Sequence, residues 1–151
     1  MRQPTAFAGL SRGYTLMELM ITVAIVAILA TIAVEAYTSE VQKSRRTDAR
    51  SAVLDLAGRE EKLFSTMNAY SEVPSDLGYA GAWPIAVGSD YYQVTVAAPD
   101  PAQGGAAGTY LITAQAINSQ ANDTACTSLS VNQLGAQTST GTATAATCWG
   151  N

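Results

Sequence analysis

Few residues in this sequence can do chemistry. Histidine is absent from all 151 residues, which removes the commonest general base and metal ligand at once. What remains is a carboxylate, Glu18, near the start of an apolar run, a cysteine pair, Cys126 and Cys148, and a basic cluster, Lys43, Arg45, Arg46 and Arg50. None of these supplies a nucleophile beside a base. The sequence therefore reads as a non-enzyme, with no metal site and no cofactor. The unusual member is Glu18, because a charge in hydrocarbon or in a dry core costs several kcal/mol unless it finds a partner.

Charge is sparse and lopsided. Charged residues make up 13% of the chain, which suits a secreted or envelope protein. All eight basic residues lie at or before Lys62; beyond it stand Glu72, Asp76, Asp90, Asp100 and Asp123 with no base, a formal charge of −5. A phosphate-binding surface needs clustered Lys or Arg, so nucleic acid is not an expected partner. The basic cluster sits in a stretch, residues 35 to 62, whose six bases are matched by six acids. It is expected to be a solvated charged face that contributes to contacts between subunits.

The element that carries Glu18 comes next. Residues 1 to 13 hold two positive charges and no acid, as a cytoplasmic leader does. Residues 14 to 34 are 21 residues with Glu18 as their one charge, or about 31 Å of helix, enough to cross a bilayer. Helical apolar spacing continues through Ala49, Ala52, Val53, Leu56, Leu63 and Phe64, without proline. One helix of about 80 Å is expected from Tyr14 to about Met67, apolar all round at first and amphipathic over residues 35 to 67.

Three readings fit its start. A signal peptide cut after Ala36 explains the apolar run but leaves Glu18 as a cost, and a plain anchor puts Glu18 at the headgroup level. The third rests on "GYTLMEL", Gly13 to Leu19, which resembles the cleavage motif of type IV prepilins. The resemblance implies that a prepilin peptidase and methyltransferase removes residues 1 to 13 by cutting after Gly13 and methylates the new amine of Tyr14. Glu18 would then pair with the amine of a neighbouring subunit and fix the stagger of packed helices. Many such pilins carry a glycine mid-helix and a proline near the end of the apolar run; here Ala27 and Glu35 stand instead. Both are good helix formers, so a stiffer helix is expected.

The remainder, residues 68 to 151, reads as a head. A turn-rich loop, with Leu77, Tyr79 and Trp83 as its apolar pins, leads to strands at Tyr91–Ala97, Thr109–Ala116 and Ser128–Ala136. A loop "APDPAQGGAAG" separates the first two, and the Thr-rich tail could add a fourth strand. The fold class is α+β, a long helix packed on a small antiparallel sheet. In an exported chain an even pair of cysteines reads as a disulfide, here closing a loop of about 23 residues worth roughly 3 kcal/mol.

Head segments add to the resemblance: "RTDARSAVLDLAGREEKLFSTMNAYS", "YYQVTV", "ANDTACTSL" and the terminal "CW" are similar to PilE-type minor pilins of type IVa pili. That implies an inner-membrane precursor, its head outside the cytoplasm, later built into a surface pilus that serves adhesion and twitching motility. Its partners would be other pilin subunits and the inner-membrane assembly machinery. A major pilin, a type II secretion pseudopilin and a DNA-uptake minor pilin are the alternatives.

Overall fold

A computed structural model describes residues 13–98 and 108–150. The leader before Gly13 and most of the expected loop after Ala97 lie outside the described residues. The chain divides into two compact units, one ending at Ser39 and one running from Glu40. Helix α1, Leu16–Met67, supplies residues to both.

In the first unit, α1 begins two residues later than expected. Thr15 caps it: its side-chain oxygen accepts the Glu18 N–H at 3.2 Å, and its carbonyl accepts the Leu19 N–H. Helical structure runs through Ala27 and Glu35 without a break. The hydroxyls of Thr22, Thr31 and Thr38 donate to the carbonyls three residues earlier, so these three need no outside partner.

The second unit is an antiparallel meander, β1-β2-β3-β4-β5, packed on the later turns of α1. Its strands are β1 Ile85–Val87, β2 Tyr92–Ala97, β3 Leu111–Ala116, β4 Ser128–Asn132 and β5 Gln137–Thr140. Alternation in β2 and β3 puts Tyr92, Val94 and Val96 on the same face as Ile112, Ala114 and Ala116. The register sets Tyr92 opposite Ala116 and Val94 opposite Ala114, and Leu129 and Val131 of β4 extend the layer. The opposite face is mostly polar, with Thr113 and Ser130 hydroxyls 3.0 Å apart and Leu111 exposed beside them.

Against this layer α1 presents Arg46, Ala49, Val53, Leu56 and Glu60, spaced three and four apart. The centre of that stripe is apolar and both ends are charged.

Three features differ from the sequence expectation. The sheet has a further edge strand, β1, three residues long and too short to show alternation. The expected third strand stops at Asn132, where the Asn132 side chain accepts the N–H groups of Leu134 and Ala136 and turns the chain. The Thr-rich tail gives β5 and then a short helix, α2, Ala145–Trp149, capped by Thr144 and stopped at Gly150. The pins behave as expected: Leu77 is buried in a 3-10 turn, Pro74–Leu77, and Tyr79 and Trp83 lie ring to ring at 5.9 Å.

Candidate functional site

In the first unit the apolar side chains have nothing of their own chain to cover them. From Leu16 to Val34 every large hydrophobic residue is more than half exposed, and none of the most apolar stretch is buried. The helix is long and apolar enough to cross a membrane. An uncovered apolar surface of this size needs lipid or other helices around it. Gly13 and Tyr14 precede the helix and are exposed, and no atom lies within 4 Å of where a Gly13 side chain would begin.

Glu18 occupies the third position after the Thr15 cap. "T-L-M-E" is thus the sequence of a capping box, and the Thr15 half of that box is made. A carboxylate there also faces the positive end of the helix dipole. This local reason for Glu18 was available in the sequence as the Thr-x-x-Glu spacing. It does not neutralise the charge, and Glu18 has no ion pair among the described residues.

The basic cluster corrects the expectation of a solvated face. Arg46 is buried, its guanidinium held by both oxygens of Asp123 at 2.7 Å. Gln120, fully buried, donates from its amide to Asp123 Oδ2 at 3.0 Å, to the Tyr92 hydroxyl at 3.2 Å and to the Gln42 carbonyl at 3.3 Å. Arg50 Nε donates to the Cys148 carbonyl at 3.0 Å. Arg45 lies over the Tyr91 ring, 3.5 Å from its centroid, and donates to the Ser119 hydroxyl. Lys43 pairs with exposed Glu40. Three of the four bases therefore reach from α1 to the head, Arg46 from a buried position and Arg45 and Arg50 from half-buried ones, and Lys43 alone of the four is exposed.

Cys126 and Cys148 are disulfide-bonded, with Cα atoms 5.7 Å apart. The segments they join also pair through backbone: Thr142 N–H donates to the Thr124 carbonyl and Ala143 N–H to the Ala125 carbonyl. Trp149 is buried and its indole N–H donates to the Thr138 carbonyl at 2.9 Å. Asp123, missed as a site residue, lies three positions before Cys126, so the salt bridge and the disulfide hold adjacent turns.

Comparison with known proteins agrees with this division. A model described as the prokaryotic N-terminal methylation motif matches residues 10–34. One described as type IV minor pilin ComP, DNA uptake sequence receptor, matches residues 36–130. The type IV major pilin protein PilA of Myxococcus xanthus (strain DK1622) is 35% identical over 91 residues, which are 60% of this chain and 40% of that protein. The match thus spans less than half the relative's length.

Proposed function

The chain belongs to the type IV pilin family, and on that premise we propose that it is a minor pilin built into a pilus through its N-terminal helix. The observation that carries this reading is the helix from Leu16 to Val34, apolar and uncovered, with one charge in its first turn. Cutting after Gly13 would leave the Tyr14 amine four residues from Glu18. In a bundle of such helices the Glu18 carboxylate then finds its partner on a neighbouring subunit, and a misaligned helix leaves both charges unpaired. Glu18 acts as a register residue, and the prepilin peptidase and methyltransferase and other pilins are the partners. The precursor resides in the inner membrane with its head outside the cytoplasm, and the mature subunit is displayed in the pilus.

The test separates processing from assembly. Glu18→Ala is expected to be cleaved at Gly13, seen as a mature chain beginning at methylated Tyr14, yet to be lost from sheared pili. Normal incorporation of that variant overturns the pairing role. A wild-type mature chain beginning at Tyr37 overturns the pilin processing reading itself.

A second reading, a subunit for DNA uptake, is favoured by the description of the model that matches residues 36–130. The surface charge weighs against it, since no base follows Lys62 and Arg46 is internal. Within the basic cluster, a DNA contact would fall to Arg45 and Lys43. Binding of duplex DNA by the intact protein, abolished by Arg45→Gln with Lys43→Gln, would establish that reading. Arg46→Gln is the wrong variant for that purpose, because it disturbs the head instead.

A further inference from the structure

Glu60 closes the other end of the α1 stripe, and it lacks what Arg46 has. Its side chain is fully buried and makes no salt bridge among the described residues. One oxygen, Oε2, accepts the Ser71 N–H at 3.1 Å, and the other, Oε1, is buried without a hydrogen-bond partner. The titratable groups that face it are Glu61 from α1, Tyr70 and Asp76 from the segment that follows the helix, and Tyr110 just before β3. All are acids or phenols. Arg59, its neighbour in sequence, is turned away to Asp55, the Leu77 carbonyl and the Tyr79 ring.

This carboxyl holds more than one amide. The Ser71 hydroxyl donates to Asp76 Oδ2 at 2.7 Å and accepts the Val73 N–H at 3.0 Å, which sets up the turn at Pro74–Leu77. Trp83 in turn donates its indole N–H to the Glu72 carbonyl. The seat of Ser71 on Glu60 therefore ties the turn at Pro74–Leu77 to α1.

We propose that Glu60 is a proton-operated latch on residues 68 to 78, which are seated on α1 when the carboxyl is neutral and loosened when it ionises. A neutral carboxyl needs no cation and tolerates its two acidic neighbours. An ionised one has one hydrogen bond and two like charges beside it, and, being fully buried, it gains water only if its surroundings open. Burial pushes the carboxyl up to about 7, the Ser71 amide holding it back and Glu61 and Asp76 adding to the rise. The latch therefore works near neutral pH, and it stands apart from the assembly role of Glu18.

The test uses the full-length protein in detergent micelles, labelled with nitrogen-15. The Ser71 amide shift of the wild type is expected to titrate with a midpoint near 7 and to stay flat in Glu60→Gln. Amide exchange over residues 70 to 78 is expected to match between the two at pH 5. At pH 8 it should be at least about tenfold faster in the wild type, because ionisation favours the open form. A Ser71 amide that does not titrate between pH 5 and 8.5, or equal exchange at pH 8, overturns the proposal. If Glu60→Gln fails to fold, Asp76→Asn decides: a lowered Ser71 midpoint supports the latch, and an unmoved one overturns it.

Discussion

Arg46 of α1 and Asp123 of the turn before the disulfide form a two-pronged ion pair inside the head, with Nε and Nη2 donating to different carboxylate oxygens at 2.7 Å each. The pair joins positions 77 residues apart. Two parallel bonds fix direction as well as distance, so the pair sets how the turn at residues 118 to 123 meets the helix. Gln120 completes it by binding Asp123, Tyr92 and the Gln42 carbonyl. Its remaining oxygen is unpartnered.

Breaking that pair is costly in a specific way. Arg46→Ala or Asp123→Ala leaves the other charge buried and alone, for which a loss of about 3–5 kcal/mol is expected. Replacing both at once, Arg46→Met with Asp123→Leu, should recover most of that loss, since no stranded charge remains. Denaturant unfolding of the full chain followed by tryptophan fluorescence measures all three. A double variant as unstable as the singles added together would show that the pair does not act as a unit.

Two glycines should respond to alanine in opposite directions. Gly58 sits in α1 with open space where a side chain would begin, so Gly58→Ala is expected to stabilise by about 1 kcal/mol through helix propensity. Gly141 has a φ of +128°, and an added Cβ would run into the Ala125 carbonyl oxygen. That oxygen already accepts the Ala143 N–H. The backbone cannot yield without giving up the ladder beside the disulfide, and Gly141→Ala is expected to destabilise by about 2–3 kcal/mol. Melting temperatures of the two variants check both signs.

Which parts were legible in the sequence follows from how far each signal is local. The apolar run, the amphipathic continuation and the alternation in β2 and β3 each repeat several times within one element, and they were readable. β1 has three residues and cannot repeat anything. α2 hides in a threonine-rich tail, although Thr144 at its start and Gly150 at its end are ordinary helix signals. The buried charges are not legible by residue type, because type alone sends a charged helix residue to solvent. Position told otherwise, since Arg46 and Glu60 extend the spacing of Ala49, Val53 and Leu56 by one step at each end. What no local pattern gives is the partner: Asp123 for the first, and for the second only the Ser71 amide.

Glu60 also gives stability a pH dependence of definite sign. A glutamate in the unfolded chain titrates near 4.5, whereas burial raises the folded value to about 7. Between those values the folded protein holds a proton that the unfolded chain has released. Stability from this group is therefore full below about 4.5 and is lost as pH rises through about 7. The loss is expected to approach about 3 kcal/mol at most. Urea midpoints of wild type and Glu60→Gln, compared from pH 4 to 8.5, should diverge in that window, with the variant the more stable at the alkaline end.

The disulfide constrains a segment that other bonds already hold, so its removal should loosen rather than detach. Cys126 and Cys148 are 22 positions apart, and cross-linking a loop of that length is worth roughly 3 kcal/mol by chain entropy. Around that loop, Thr124 and Ala125 pair with Thr142 and Ala143, Trp149 holds the Thr138 carbonyl, and Arg50 holds the Cys148 carbonyl. Cys126→Ser with Cys148→Ser is therefore expected to lose about 3 kcal/mol in denaturant unfolding while the amides of Cys148 and Gly150 keep their protection from exchange. Adding Arg50→Ala to that variant removes the hydrogen bond between α1 and α2, and protection at those two amides should then fall. If protection vanishes already on removing the cysteines, the bridge alone holds α2, and the contacts of Arg50 and Trp149 follow from it.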